Sequence, residues 1–280
     1  MAVKQVAVIC LSVAVLAGCA DGEDRWNQAG MKIAARASAW RHQFDDPTQP
    51  DSLRMVAARG LLRLDPQFLA ARYAQYPQLL RGTIEQAVVA RDTICLPLLI
   101  QLFETRGGEE RIEFEVDLIA FGAAAHPYLR ELLKRQDRGV VVRAADALAK
   151  SGAEVATADI SALLLHNDDW IRMGAAHALG QLRGKAATDA LLTALSDSAY
   201  AVINAALVGL ASQHAAVAYE PALALLADSR PEVRKHAAHT LGQLGNSAAR
   251  AGLLRVSEQD PDGGVRFMAS RALQVLEGTP

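Results

Sequence analysis

Ile171-Arg172-Met173-Gly174-Ala175-Ala176-His177-Ala178-Leu179-Gly180 returns later in the chain, lightly changed, as Val233-Arg234-Lys235-His236-Ala237-Ala238-His239-Thr240-Leu241-Gly242. Each segment places a branched apolar residue eight positions before a leucine, with a small pair between them. Steps of i, i+4 and i+8 fall on one face of an α-helix. The pattern recurs through the carboxyl-terminal half. Leu148, Leu179, Leu210, Leu241 and Leu273 stand 31, 31, 31 and 32 residues apart. Val140, Ile171, Val202, Val233 and Val265 precede them by eight. Between lie Ala144-Ala145, Ala175-Ala176, Ala206-Leu207, Ala237-Ala238 and Ala269-Ser270. Small residues at these places predict close approach of a neighbouring helix.

A second ladder runs between these helices. Leu133, Leu164, Leu195 and Leu226 recur every 31 residues, as do Leu129, Ile160, Leu191 and Ala222, with Leu254 taken as their successor one residue late. Turn segments bearing Asp137, Asp168, Asp197, Asp228 and Asp260 join the two helices, and aspartate there is expected to cap the helix that follows. Pro231 and Pro261 stand near two such helix starts, where proline is tolerated. One hairpin of this kind cannot bury its apolar face alone, whereas a stack of them shares a continuous core. The expected fold is all-α.

The segments quoted resemble HEAT repeats, in the short form also found in phycobilin lyases, over about residues 125–277. The resemblance implies an α/α superhelical solenoid of HEAT-like helical hairpins. Leu53-Arg54-Met55-Val56-Ala57-Ala58-Arg59-Gly60-Leu61 shows the same eight-residue spacing and small pair. Residues 26–124 are therefore read as degenerate helical repeats, continuous with regular repeats over 125–280. Arg111-Ile112-Glu113-Phe114-Glu115-Val116-Asp117 alternates like a strand, but Ile112, Val116 and Ile119 also share a helical face, and helix is the reading adopted.

The amino terminus reads as an export leader. Lys4 precedes an uncharged, mostly apolar run from Val6 to Gly18, too short to span a bilayer. It ends in Leu16-Ala17-Gly18-Cys19, which resembles the lipobox of bacterial lipoproteins. That resemblance implies residues 1–18 as a signal peptide, Cys19 as the lipidation site (palmitate among its acyl chains), and residues 19–25 as a lipidated tether. Ala20, in place of Asp, implies the outer membrane, facing the periplasm of a bacterial cell envelope.

The net charge of −2 gives no electrostatic reason to expect nucleic acid. Besides Cys10 and Cys19 there is one cysteine, Cys95, so neither an internal disulfide nor a thiolate zinc site is expected in the mature chain. Its setting, Ile94-Cys95-Leu96-Pro97-Leu98, favours a buried thiol over a nucleophile. A di-iron enzyme family built on HEAT repeats uses His-Glu pairs. Here His177, His236 and His239 are followed by Ala178, Ala237 and Thr240. No metal or cofactor is therefore expected, and no catalytic motif stands out.

In HEAT solenoids the second helix of each pair lines the concave face. Residues opposite its apolar stripe are Met173, His177, Asn204, Val208, Lys235, His239, Phe267 and Arg271. They form the candidate partner-binding set. Their mixed character suits a protein or peptide partner. Arg172, Arg234 and Arg266, which follow the repeat apolar residue, are expected to bridge to turn aspartates; Ile203 interrupts that series. The expected function is a non-enzymatic scaffold at the envelope membrane. A lyase-like activity in the amino-terminal half and a purely structural spacer are the alternatives.

Overall fold

The computed structural model describes residues 20–278. The proposed signal peptide and Cys19 lie outside the described residues. Every described secondary-structure element is helical. The chain divides into two compact units, Met1–Phe121 and Gly122–Pro280.

In the first unit lie α1 (Ala20–Asp45), α2 (Asp51–Leu64), α3 (Pro66–Arg72), α4 (Pro77–Val89), α5 (Leu96–Thr105) and α6 (Gly108–Phe121). The polar segment expected as a tether belongs to the start of α1; polarity alone does not oppose helix formation. Proline begins α3 and α4 at positions where its missing N–H costs nothing. α2 packs on α4 and α4 on α6, while α3 packs on α5, so the unit has two helix layers. Phe44, Phe103 and Phe114 fill its core with a set of leucines.

Two expectations for this unit are corrected. Ala57, Ala58 and Leu61 are fully buried, but Leu53 is 43% exposed. Arg54 turns inward in its place, with Nε donating to the Phe44 carbonyl at 2.9 Å and the guanidinium 4.4 Å from the Tyr76 ring centre. α6 is helical as expected, yet the face bearing Ile112 and Val116 looks outward, at 42% and 60% exposure. The buried face instead carries Phe114, Leu118 and two acids, Glu115 and Asp117. Asp117 is tolerated inside because the Arg81 guanidinium binds both its oxygens, at 2.5 and 3.3 Å. Burial still holds the Asp117 carboxyl above the usual carboxylate range, against the pull of Arg81.

In the second unit, α7 (His126–Leu132), α9 (Thr157–Ala162), α11 (Lys185–Ala194), α13 (Tyr219–Ala224) and α15 (Arg250–Gln259) are first helices. α8 (Arg138–Lys150), α10 (Asp169–Gln181), α12 (Tyr200–Ser212), α14 (Pro231–Leu244) and α16 (Gly263–Leu276) are second helices. The second helices pack on one another in chain order, α8 to α16. Val140, Ile171, Val202, Val233 and Val265 are all buried, and Leu148, Leu179, Leu210 and Leu241 are fully so. Leu273, in the terminal helix, is half-buried, and Ala272 takes the inner position. Leu129, Ile160, Leu191 and Ala222 are fully buried in the first layer. Their successor is Leu253, fully buried, and not Leu254, which is 47% exposed; the 31-residue step holds there without slippage.

Close approach of second helices is made possible by glycine. A Cβ on Gly180 would stand 2.6 Å from Gly209 Cα, and one on Gly242 would stand 2.9 Å from Ala272 Cβ. Backbones this close leave no room for a side chain.

The turn aspartates fall into two classes, where the sequence reading took them as one. Asp137 and Asp168 cap α8 and α10 as expected, accepting Val140 N–H at 3.0 Å and Trp170 N–H at 2.8 Å. Asp197, Asp228 and Asp260 sit two positions earlier in the turn. They accept the N–H two residues on, at 2.8, 2.8 and 2.9 Å, and do not cap the helix. In α16 the capping role falls to Asp262, which accepts Val265 N–H at 2.9 Å.

These earlier aspartates anchor the arginine series. Arg172 grips both oxygens of Asp197 in the next turn, at 2.8 and 3.0 Å, while donating to the carbonyls of His166 and Asn167 in its own. Arg234 repeats this with Asp260, at 2.7 and 2.8 Å, and with the Asp228 and Ser229 carbonyls. Arg266 binds the Asp260 and Pro261 carbonyls. Where Ile203 breaks the series, Arg230 substitutes. It grips Asp228 at 2.9 Å through Nε and through Nη2, and reaches back to the Ser198 carbonyl at 2.9 Å. The arginine hydrogen bonds hold Asp197, Asp228 and Asp260 below the usual carboxylate range.

Candidate functional site

The exposed face of the second-helix layer in residues 122–278 is built by the same arithmetic that buries the opposite face. If the residues at i, i+4 and i+8 of a helix face the core, those two positions on from the first and second face away. His177, Val208, His239 and Arg271 are exposed in successive helices α10, α12, α14 and α16. One turn before them stand Met173, Asn204, Lys235 and Phe267; the first three are half-buried and Phe267 is 63% exposed. All eight candidates thus lie in one layer of adjoining helices, two per helix.

Sequence reasoning began the row one helix too late. A step of 31 back from His177 lands on Asp146, in α8. Asp146 accepts hydrogen bonds from Lys150 Nζ at 2.7 Å and Gln181 Nε2 at 2.6 Å, and lies 3.9 Å from His177 Nε2. Burial pushes its carboxyl up, but the hydrogen bonds from Lys150 and Gln181 and the nearby His177 outweigh it, and the net shift is downward. The 31-residue step was the signal that could have found it.

Gly180 and Gly209, which let α10 and α12 meet, also shape a recess beside that row. Its walls include His177, Gln181, Arg183, Val208 and Ser212, and its volume is ≈ 240 Å³. That recess suits one side chain of a partner better than a whole small molecule. Outside the recess, the buried Oδ1 of Asn204 accepts no hydrogen bond from the described residues. His236, half-buried beside Lys235 and His239, has its imidazole pKa lowered by burial and by those two neighbours.

Cys95, in the first unit, is fully buried, and burial pushes its thiol up to about 12. A thiol so held is a poor nucleophile. Among the described residues no three His, Cys, Asp or Glu side chains converge as metal ligands. No described helix is long and apolar enough to cross a membrane.

A family model described as HEAT repeats matches residues 126–211 and 188–274, together more than half of the chain. No curated protein matches it in sequence. Among solved structures, human deoxyhypusine hydroxylase in complex with glycerol is 19% identical, with a TM-score of 0.40, covering 89% of this chain and 99% of that one. An engineered protein is 20% identical at a TM-score of 0.46, covering 70% and 96%. The complex of CpcE and CpcF of phycocyanin lyase from Nostoc sp. is 18% identical at 0.38, covering 65% and 99%. These are likenesses of fold alone.

Proposed function

The chain belongs to the HEAT-repeat family, and on that premise we propose that it is a non-enzymatic scaffold holding a protein or peptide partner on its second-helix face, tethered to a bacterial envelope membrane through Cys19. The observation that carries the binding role is the regular exposed row from His177 to Arg271, one outward side chain per repeat on adjoining helices. A ligand lying across such a row meets a new side chain at each helix, which favours extended partners over compact ones. Apolar Val208 and Phe267 alternate with polar groups along it. Exposed apolar side chains gathered on one face mark interaction surfaces more than scattered ones do.

The tether rests on the leader ending in Cys19. Lipidation there would start the folded part close to the bilayer, since α1 begins at Ala20. Several acyl chains hold a protein almost permanently, each buried CH₂ contributing about 0.8 kcal/mol. The proposed compartment is the periplasmic face of the outer membrane.

Photo-crosslinking in cells from positions 177, 239 and 271 tests the reading. One partner trapped from all three positions, and not from position 255 on the other layer, is the expected result. Normal protein levels with nothing trapped would transfer the role to a spacer or to the first unit.

A further inference from the structure

The exposed row is not electrically uniform. α12 carries no charged side chain, and α16 carries no acidic one. α14 has a single acid, Glu232, in its first turn. Against these stand Lys235 and His239 on α14 and Arg271 on α16, none with a side-chain hydrogen bond or ion pair among the described residues. The aspartates of the adjoining turns are committed elsewhere. Asp260 is held by Arg234, and Asp262 caps α16. Lys235 reaches across to that helix: a Cβ on Gly264 would lie 3.3 Å from its Cδ and 3.6 Å from its Nζ, and 3.1 Å from Asp262 Oδ1, which is engaged by the Val265 N–H. Phe267 rises one turn further along, 63% exposed.

Elsewhere this protein pairs its arginines closely. Arg172, Arg230 and Arg234 each grip a carboxylate through two nitrogens. Lys235 and Arg271, without a carboxylate partner among the described residues and set beside an uncharged helix, are the charge pattern an anionic partner would complete.

We propose that the last two repeats form a docking patch for an acidic peptide segment, with carboxylates set on Lys235 and Arg271 and an apolar side chain set against Phe267. The proposal rests on the reading of the second-helix face as a binding surface and gives that surface a partner chemistry. A polyanion such as nucleic acid would gain nothing from uncharged α12, whereas a peptide mixing acidic and apolar residues uses both parts of the row.

The test is fluorescence anisotropy with the intact chain and a labelled peptide alternating glutamate and leucine. Its lysine–leucine counterpart, a single-stranded DNA oligonucleotide, and vesicles of equal parts phosphatidylcholine and phosphatidylglycerol serve as competitors. The expected result is binding of the glutamate peptide that weakens with salt. It should drop about tenfold or more in the Lys235→Glu/Arg271→Glu variant, and should be unchanged in Arg255→Glu, on exposed α15 surface. Circular dichroism of both variants checks that they fold. Equal affinity for the lysine peptide, or unchanged affinity in the double variant, would overturn the proposal. So would binding of DNA or vesicles alone. If crosslinking traps a partner from position 177 while the glutamate peptide fails to bind, the acidic-segment proposal falls and the scaffold reading stands. If neither occurs, both fall.

Discussion

At the scale of single residues, the turn clamps show how a repeat survives the loss of one of its members. Ile203 stands where Arg172 and Arg234 stand in the flanking repeats, and is 1% exposed. The interactions that an arginine there would make are supplied by Arg230, from the following turn, which holds Asp228 and the Ser198 carbonyl. Two routes to one clamp imply strong coupling between the two positions. Arg230→Ala leaves Asp228 without its guanidinium and should destabilise the fold. Ile203→Arg alone should also destabilise, because Arg230 already fills the site. The double substitution should cost less than the sum, with a coupling of about 1–3 kcal/mol, measured by urea denaturation in a double-mutant cycle. Strict additivity would show that Arg230 is not the substitute. The substitution was invisible in sequence. Position 203 announced a missing arginine, but Arg230 lies outside the aligned column. Only the geometry of the turn brings it there.

At the scale of helices, packing distance decides which glycines are needed. Alanine is a better helix former than glycine by about 1 kcal/mol, so Gly→Ala should stabilise wherever space allows. At Gly30, within α1, an added Cβ meets nothing within 4 Å. At Gly180 it would press on the Gly209 backbone, which cannot move aside without parting α10 from α12. Gly30→Ala should therefore raise the melting temperature slightly. Gly180→Ala should lower it, with a net cost of about 1–3 kcal/mol from overpacking. The same sign for both would contradict the close contact. The repeat helices were legible because burial there follows one unbroken period: from Leu129 to Leu253, a fully buried residue arrives in every helix of the first layer on the 31-residue step. α6 was legible as a helix but not in its orientation. Its apolar spacing suggested that Ile112 and Val116 face inward, whereas Arg81 pays for burying Asp117 and turns the helix the other way. A salt bridge spanning 36 residues has no local signature in the sequence. The outward row, in which five of the eight positions are exposed and three half-buried, was legible for the converse reason, since a periodic core fixes what must face away from it. The recess beside Gly180 was not, because it depends on how near two backbones come.

At the scale of the molecule, the two units differ in a way that chemistry can follow. Cys95 is the one cysteine among the described residues and lies in the first unit, with no accessible surface and a thiol pushed up to about 12. In a chain carrying Cys10→Ser and Cys19→Ser, a thiol reagent should react with Cys95 only when the first unit opens. Its rate, followed across urea concentrations beside far-ultraviolet circular dichroism, reports that unit's opening separately from the helices of residues 122–278. Labelling that proceeds at the rate of a free thiol in native buffer would contradict the burial.

The turn clamps also bear on how such a chain could gain or lose length. Residues 200–230 are 31 in number and contain both Ile203 and Arg230. A genetic deletion of that segment joins Ala199 to Pro231, and removes the gap and its substitute in a single event. Arg172 keeps Asp197, Arg234 keeps Asp260, and Arg234 finds the carbonyls of residues 197 and 198 in place of those of 228 and 229. The shortened protein keeps both of these arginine–aspartate clamps whole. A deletion that removed one member of a clamp and kept the other would separate a guanidinium from its carboxylate. The irregular repeat is thus a cassette that can be copied or discarded without breaking the clamps on either side of it.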